Sequence, residues 1–227
     1  MDRIPEPELM LAEEQAQAYA TADFAQPHSH FVTLLKEKLP SLPSSGRALD
    51  LGCGPGDIAR RFAQAFAAWT VDAVDGSPAM LDLGRRTTVE AGLSSRIRFH
   101  ERVLPVDSLE HASYALIFSN SLLHHLRDPG VLWSSIGRWT QPRSEVFVMD
   151  LLRPSSRSKA HRLVEQYAMD EPEILRTDFF NSLRAAYRPA EVQLQLQAVG
   201  LGHLNLEVVS DRHFIVWGQI RGDKPAG

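Results

Sequence analysis

The residues best placed by type and spacing to do chemistry form a glycine-rich string, Leu49-Asp50-Leu51-Gly52-Cys53-Gly54-Pro55-Gly56. Glycines let a backbone turn sharply and approach a ligand closely, because no Cβ intervenes. The spacing is G-x-G-x-G. It differs from the dinucleotide fingerprint G-x-G-x-x-G, and Asp57 stands where the last glycine would be. An anion at the following helix end would meet Asp50 and Asp57, so the loop suits a ligand with a cationic group and no phosphate. Asp75 follows 19 residues after Gly56, where a carboxylate accepts hydrogen bonds from both hydroxyls of a ribose. Further along, the adjacent His124 and His125 supply groups that exchange protons near neutral pH, and Asp150 supplies a carboxylate.

These side chains need elements to hold them. Residues 47–51 form a short apolar run that reads as a buried strand, and Asp57 then N-caps a helix carrying Ile58, Phe62, Ala65 and Phe66 on one face. A second strand runs from Thr70 to Val74 and ends at Asp75. Ser77-Pro78 opens the next helix. Further strands are predicted over 96–99, 114–118 and 146–149, with a helix after Asp128-Pro129. This alternation implies a parallel sheet covered on both faces. Residues 153–187 break the rhythm as two or three helices. Pro189 opens another helix, and 204–209 and 214–217 read as a closing antiparallel hairpin turned at Ser210-Asp211-Arg212.

The chain has 227 residues, 44% of them hydrophobic, so one domain with a lid or cap is the expectation. Its net charge of −4 argues against a nucleic-acid binder, which would carry a basic excess. Residues 1–46 hold three basic and seven acidic side chains, which accounts for all of that charge; the remainder is neutral. No run of eighteen apolar residues exists, and the acidic N-terminus lacks an apolar signal segment, so a cytoplasmic protein that does not engage a membrane is expected. The lone Cys53 excludes an internal disulfide or a cysteine-cluster zinc site. His28 and His30 offer two metal ligands with no third nearby, so no metal is expected.

The strings LDLGCGPG at 49–56, VDGSPAML at 74–81 and SLLHHLRDP at 121–129 resemble those of the class I S-adenosylmethionine-dependent methyltransferases. The resemblance is specific over 46–152 and weaker to 219. It implies a Rossmann-like α/β fold with a seven-stranded, mostly parallel sheet whose last strand is antiparallel. It also implies four parts: an N-terminal helical flap (1–45), a cofactor core (46–152), a helical lid insertion (153–188), and a C-terminal helix with closing strands (189–227). The cofactor implied is S-adenosylmethionine, with S-adenosylhomocysteine as product.

By that analogy, Asp50 and the loop of Gly52, Cys53, Gly54 and Gly56 face the methionine moiety, with Cys53 only a small residue in a tight turn. Asp75 and Gly76 meet the ribose, Ser77 and Met80 flank the adenosine, and Ser119 and Asn120 line the sulfonium end. Family members place an aspartate for adenine after the third strand. The string here is Phe99-His100-Glu101-Arg102-Val103, so Glu101 stands in for it or is plain surface. Tyr19 and Phe24 in the flap cover the methyl end or serve as ordinary packing.

Methyl transfer from a sulfonium is an in-line displacement that needs positioning and desolvation, and needs a base only if the acceptor carries a proton. His124 and His125 are the candidate bases, with capping of the next helix as the alternative. Asp150 joins them, or it caps a helix or pairs with Arg153. The lid carries seven basic and five acidic residues, which suits an anionic acceptor or forms an evenly charged exposed surface. Phe24, Arg153, Tyr167 and Tyr187 are the candidate acceptor contacts. A small-molecule acceptor is the leading reading. A regulatory cofactor-binding module is the alternative. A nicotinamide-dependent oxidoreductase is less favoured, because the glycine spacing is wrong and no Tyr-x-x-x-Lys pair occurs. An RNA methyltransferase would show a basic stretch, and none is present. Oligomeric state is left open.

Overall fold

The computed structural model describes residues 1–6, 25–109, 111 and 113–222. Seven strands form one sheet: β1 (Gly46–Leu51), β2 (Trp69–Asp75), β3 (Ile97–Glu101), β4 (Tyr114–Asn120), β5 (Thr140–Leu151), β6 (Asn205–Val208) and β7 (His213–Gln219). Their order is β3-β2-β1-β4-β5-β7-β6. Strands β1 to β5 run parallel, and β7 is antiparallel to both β5 and β6. The predicted α/β sheet, its antiparallel last strand and its closing hairpin are all observed.

The strand sequences are apolar at successive positions because both faces are covered. Along β1, Ala48 points into one core and Leu49 into the other, as strand alternation requires. On the Ala48 face, Phe31 and Leu35 of α1 (Ala25–Lys38) meet Ile58 and Phe62 of α2 (Asp57–Ala65). Phe62 stacks edge-on to the Trp69 ring at 5.7 Å and lies 5.1 Å from that of Phe118. On the Leu49 face, Trp133 and Ile136 of α4 (Gly130–Trp139) pack with Val192 and Leu196 of α7 (Pro189–Ala198). Helix α3 (Pro78–Glu90) is capped by Ser77, whose Oγ accepts from Met80 N at 3.4 Å, and Pro78 occupies its first turn as predicted.

One predicted cap is corrected. Gly56, in the left-handed region at φ 71°, is the N-cap of α2, and Asp57 is the first helical residue. The Asp57 carboxylate turns sideways instead. It accepts from His28 Nδ1 at 2.6 Å and Arg61 Nε at 2.7 Å, which ties α1 to α2. Burial favours its neutral form, but His28 and Arg61 outweigh that and hold its pKa well below the usual range.

The predicted lid insertion contains α5 (Arg157–Tyr167) and α6 (Glu173–Ala185), which share a small core of Leu163, Leu183 and Ala186 over Leu151. The first six residues lie against this pair. The N-terminal amine donates to Ser155 O at 2.9 Å, and Ile4 N donates to Arg184 O at 3.1 Å. Among the described residues, no helix is long and apolar enough to cross a membrane.

Candidate active site

The strand order reverses between β1 and β4, so their carboxyl ends diverge and open a crevice. A cavity of about 260 Å³ occupies it, lined on one side by the loop after β1 and on the other by the turn after β4. Glycine is required at two points of the first loop. Gly52 and Gly56 have φ of 72° and 71°. A Cβ on Gly52 would come within 2.7 Å of Leu122, and one on Gly56 within 2.7 Å of Phe99. Gly54, at φ 52°, faces open space with no atom within 4 Å of such a Cβ.

Asp50, one residue before the end of β1, has a buried side chain, and its Oδ2 has no hydrogen-bond partner among the described residues. Burial, and then the nearby Asp75 charge, push its pKa well above the usual carboxylate range. A buried acceptor without a donor is costly. A cationic ligand in the cavity would relieve both the burial and the repulsion. Asp75 closes β2 and organises the loop. Its Oδ2 accepts from Gly54 N and its Oδ1 from Ser77 N, each at 2.8 Å. Its pKa is also raised by burial, against the lowering effect of those backbone bonds. Each oxygen keeps a lone pair for a ligand hydroxyl. Cys53 lines the same wall, and burial raises its thiol well above its usual pKa, so it is no nucleophile.

The opposite wall comes from the turn after β4. Ser121 takes a positive φ of 56°, and a short 3-10 turn, Leu123–His125, follows. Asp150, at the end of β5, holds this turn: its Oδ2 accepts from Leu123 N and its Oδ1 from His124 Nδ1, both at 2.7 Å. Burial disfavours a charged His124, but the charge and hydrogen bond of Asp150, with the Glu6 charge, prevail and raise its pKa. Glu6 Oε1 lies 3.6 Å from His124 Nε2 and 3.2 Å from His125 Nδ1, and it accepts from Ser182 Oγ at 3.0 Å.

The structure thus brings together Asp50, Gly52, Cys53, Gly54, Asp75, Gly76, Ser77, Met80, Arg102, Val103, Asn120, His124 and His125 around one cavity. Gly56 shapes the loop that forms its wall. Other candidates lie elsewhere. Ser119 is buried below the floor, where its Oγ donates to Leu51 O at 2.7 Å and pins β4 to β1. Glu101 is exposed at the end of β3 and does not line the cavity.

Of the predicted acceptor contacts, Arg153, Tyr167 and Tyr187 do not reach the cavity either. Arg153 is buried against Glu191 and Ala186 O, a structural pairing that replaces the acceptor contact. Tyr187 donates to Leu126 O at 2.9 Å beneath the turn. Tyr167 is on the outer surface, under the Arg212 guanidinium, and donates to Asp211. Tyr19 and Phe24 lie outside the described residues.

Sequence reasoning missed Glu6, His28, Leu122, Leu175 and Asp178. The last four line the cavity, and Glu6 adjoins its histidines. A histidine before the first strand and an acid near the N-terminus carry no motif, so only packing reveals them.

Comparison with known proteins agrees with this geometry. A family model described as "Methyltransferase domain" matches residues 48–143. Dimethylglycine N-methyltransferase of Parasynechococcus marenigrum (strain WH8102) is 30% identical over 126 residues, 55% of this chain and 45% of that protein. Demethylmenaquinone methyltransferase of Chlamydia pneumoniae is 32% identical over 125 residues, 54% of this chain and 53% of its own. The chain therefore spans about half the length of the curated relatives it matches. A SAM-dependent methyltransferase from Aquifex aeolicus superposes with a TM-score of 0.68 at 16% identity, covering 93% of this chain and all of that one. The plantazolicin methyltransferase BpumL, solved with a triazolic desmethyl analog and SAH, superposes with a TM-score of 0.72 at 10% identity, covering 92% and 90%. Residues 48–143 thus match a methyltransferase domain, and the strand order gives the chain the fold of the solved S-adenosylmethionine-dependent methyltransferases.

Proposed function

We propose that this protein transfers a methyl group from S-adenosylmethionine to a small-molecule acceptor. The observation that carries this reading is Asp50, a buried carboxylate with an oxygen that has no partner among the described residues, set beside a glycine loop with open space over Gly54. That pair of features fits a ligand that is cationic and lies close to backbone. Asp50 and the loop from Gly52 to Gly56 would hold the amino-acid part. Asp75 would receive the ribose hydroxyls, and Met80, Arg102 and Val103 would flank the base. When bound, the cofactor supplies an activated methyl group on sulfur.

The protein's own contribution is position and dryness. Leu122, Leu126, Leu175 and Phe179 give the second wall its apolar surface, and His124, His125 and Asn120 give it polar points. This mixture of an apolar lining with a few fixed polar groups is that of a small-ligand site. An acceptor that carries a proton would meet His124, whose orientation Asp150 fixes. The named relatives act on different acceptors, as their names state, so the acceptor is not inherited from any of them. The organised second wall favours an enzyme over a purely regulatory binder.

Calorimetric titration with S-adenosylhomocysteine tests the reading. Binding is expected, and Asp75→Ala or Asp50→Ala should weaken it by at least tenfold while the fold is retained. Tighter binding of NAD than of S-adenosylhomocysteine, or unchanged affinity in both variants, refutes it. A labelled-methyl screen over metabolite extracts then identifies the acceptor.

A further inference from the structure

The turn after β4 and the N-terminal residues build a second polar centre on the cavity wall. Asp150 occupies Nδ1 of His124 and so directs the ring's other nitrogen, Nε2, away from itself. That is the arrangement in which a carboxylate orients a metal-binding histidine. Glu6 Oε1 faces this Nε2 at 3.6 Å and His125 Nδ1 at 3.2 Å. One donor atom from each of the three residues falls within 4.8 Å of the others. Donors held about 2.0–2.1 Å from a zinc-like ion stand roughly 3.0–3.4 Å apart, so little side-chain movement separates this arrangement from a coordination sphere.

The plainer reading is a polar cluster, in which Glu6 lies at ion-pair distance from both histidines and accepts from Ser182. It leaves His124 Nε2 and Glu6 Oε1 facing each other across 3.6 Å in buried surroundings. A cation placed between them would take one donor atom from each.

We propose that Glu6, His124 and His125 bind a divalent transition-metal ion of the zinc class, with Asp150 and Ser182 holding two of the ligands in place. Two imidazoles and one carboxylate form a donor set such ions favour, and three protein ligands leave coordination positions open. His124 and His125 line the cavity, so the open positions are accessible from it. In the setting proposed above, on which this part rests, a thiol or hydroxyl acceptor coordinates there. Its proton passes to solvent as the metal–heteroatom bond forms, which leaves the heteroatom's electron pair available to the methyl group.

Cobalt(II) titration of the full chain, freed of metal by chelation and dialysis, tests the site through its visible absorption. Calorimetry with zinc(II) gives affinities. One ion per chain is expected, with zinc displacing cobalt. His125→Ala and Glu6→Gln should each weaken binding at least tenfold at an unchanged melting temperature, and Asp150→Asn about ten- to a hundredfold. His30→Ala, away from the cluster, should leave binding unchanged. No cobalt absorption, or wild-type affinity in the folded His125→Ala and Glu6→Gln proteins, overturns the site. S-adenosylhomocysteine binding without metal binding removes this inference and leaves the proposed function standing. Metal binding without S-adenosylhomocysteine binding does the reverse.

Discussion

Asp150 and His124 are joined by a 2.7 Å hydrogen bond across 26 residues of sequence, and both are almost fully buried. The same carboxylate also accepts from Leu123 N and Leu151 N, so one side chain fixes the end of β5 and the whole turn after β4. The wall that faces the glycine loop is therefore built on a rigid strand end, and its histidines are held in place before any ligand arrives.

The two glycines of the first loop should separate folding from binding. Gly52→Ala drives a Cβ into Leu122 from a left-handed backbone, so a loss of about 2–3 kcal/mol in unfolding free energy is expected. Gly54→Ala meets no protein atom and should cost only about 1 kcal/mol of backbone strain. It does fill the open space over the loop, so S-adenosylhomocysteine affinity should drop more than tenfold. Urea unfolding and calorimetry on both variants check the contrast. A Gly54→Ala protein that binds like wild type would show that no ligand approaches there.

Arg3 is the clamp between the N-terminus, the end of α6 and the His124 turn. It donates to Ala185 O at 2.6 Å, to His124 O at 3.0 Å and to Leu126 O at 2.9 Å, and lies 4.0 Å above the Tyr187 ring. Arg3→Ala leaves three carbonyls without this donor, so a loss of about 2–3 kcal/mol is expected. In a chain of this size that lowers the melting temperature by roughly 4–10 °C. Arg3→Lys should recover only part of it, because an ammonium cannot reproduce the planar fork. Thermal unfolding of both variants measures the difference.

His213, in β7 next to the Ser210-Asp211-Arg212 turn, makes stability depend on pH. Burial, with the Arg212 charge, lowers its pKa to about 4. In the unfolded chain it titrates near 6.5, so between these values the native state binds fewer protons than the unfolded state. Stability therefore rises with pH from about 4 to 6.5 and is lost on acidification through that window. His213→Gln removes this dependence. Unfolding free energies at pH 4.5 and 7.5 should differ by about 2–3 kcal/mol less in the variant than in wild type. An equal difference in the two proteins would refute it.

Much of the fold was legible because its signals are local. The run at 47–51, the glycines after it and Asp75 at the end of the next strand each follow from backbone chemistry within a few residues. The hairpin at 205–219 follows from a short turn between apolar runs. Asp57 misled for a local reason too: a carboxylate at a helix start looks like a cap until Gly56 takes that position and His28 claims the side chain.

The sequence by itself determined the alternation of strands and helices, the glycine loop, and the acidic residues at the ends of β1 and β2. Tertiary structure alone decided what stands opposite them. Glu6 reaches His124 because the first six residues dock on α6, and Arg153 is withdrawn from the cavity because Glu191 of α7 pairs with it. Tyr167 and Tyr187, apolar in character and correctly spaced for a pocket, are instead packed outside it and below it. Periodicity tells which residues share a face of one element. Which faces of different elements meet is set by packing over the whole chain, and no local pattern encodes that.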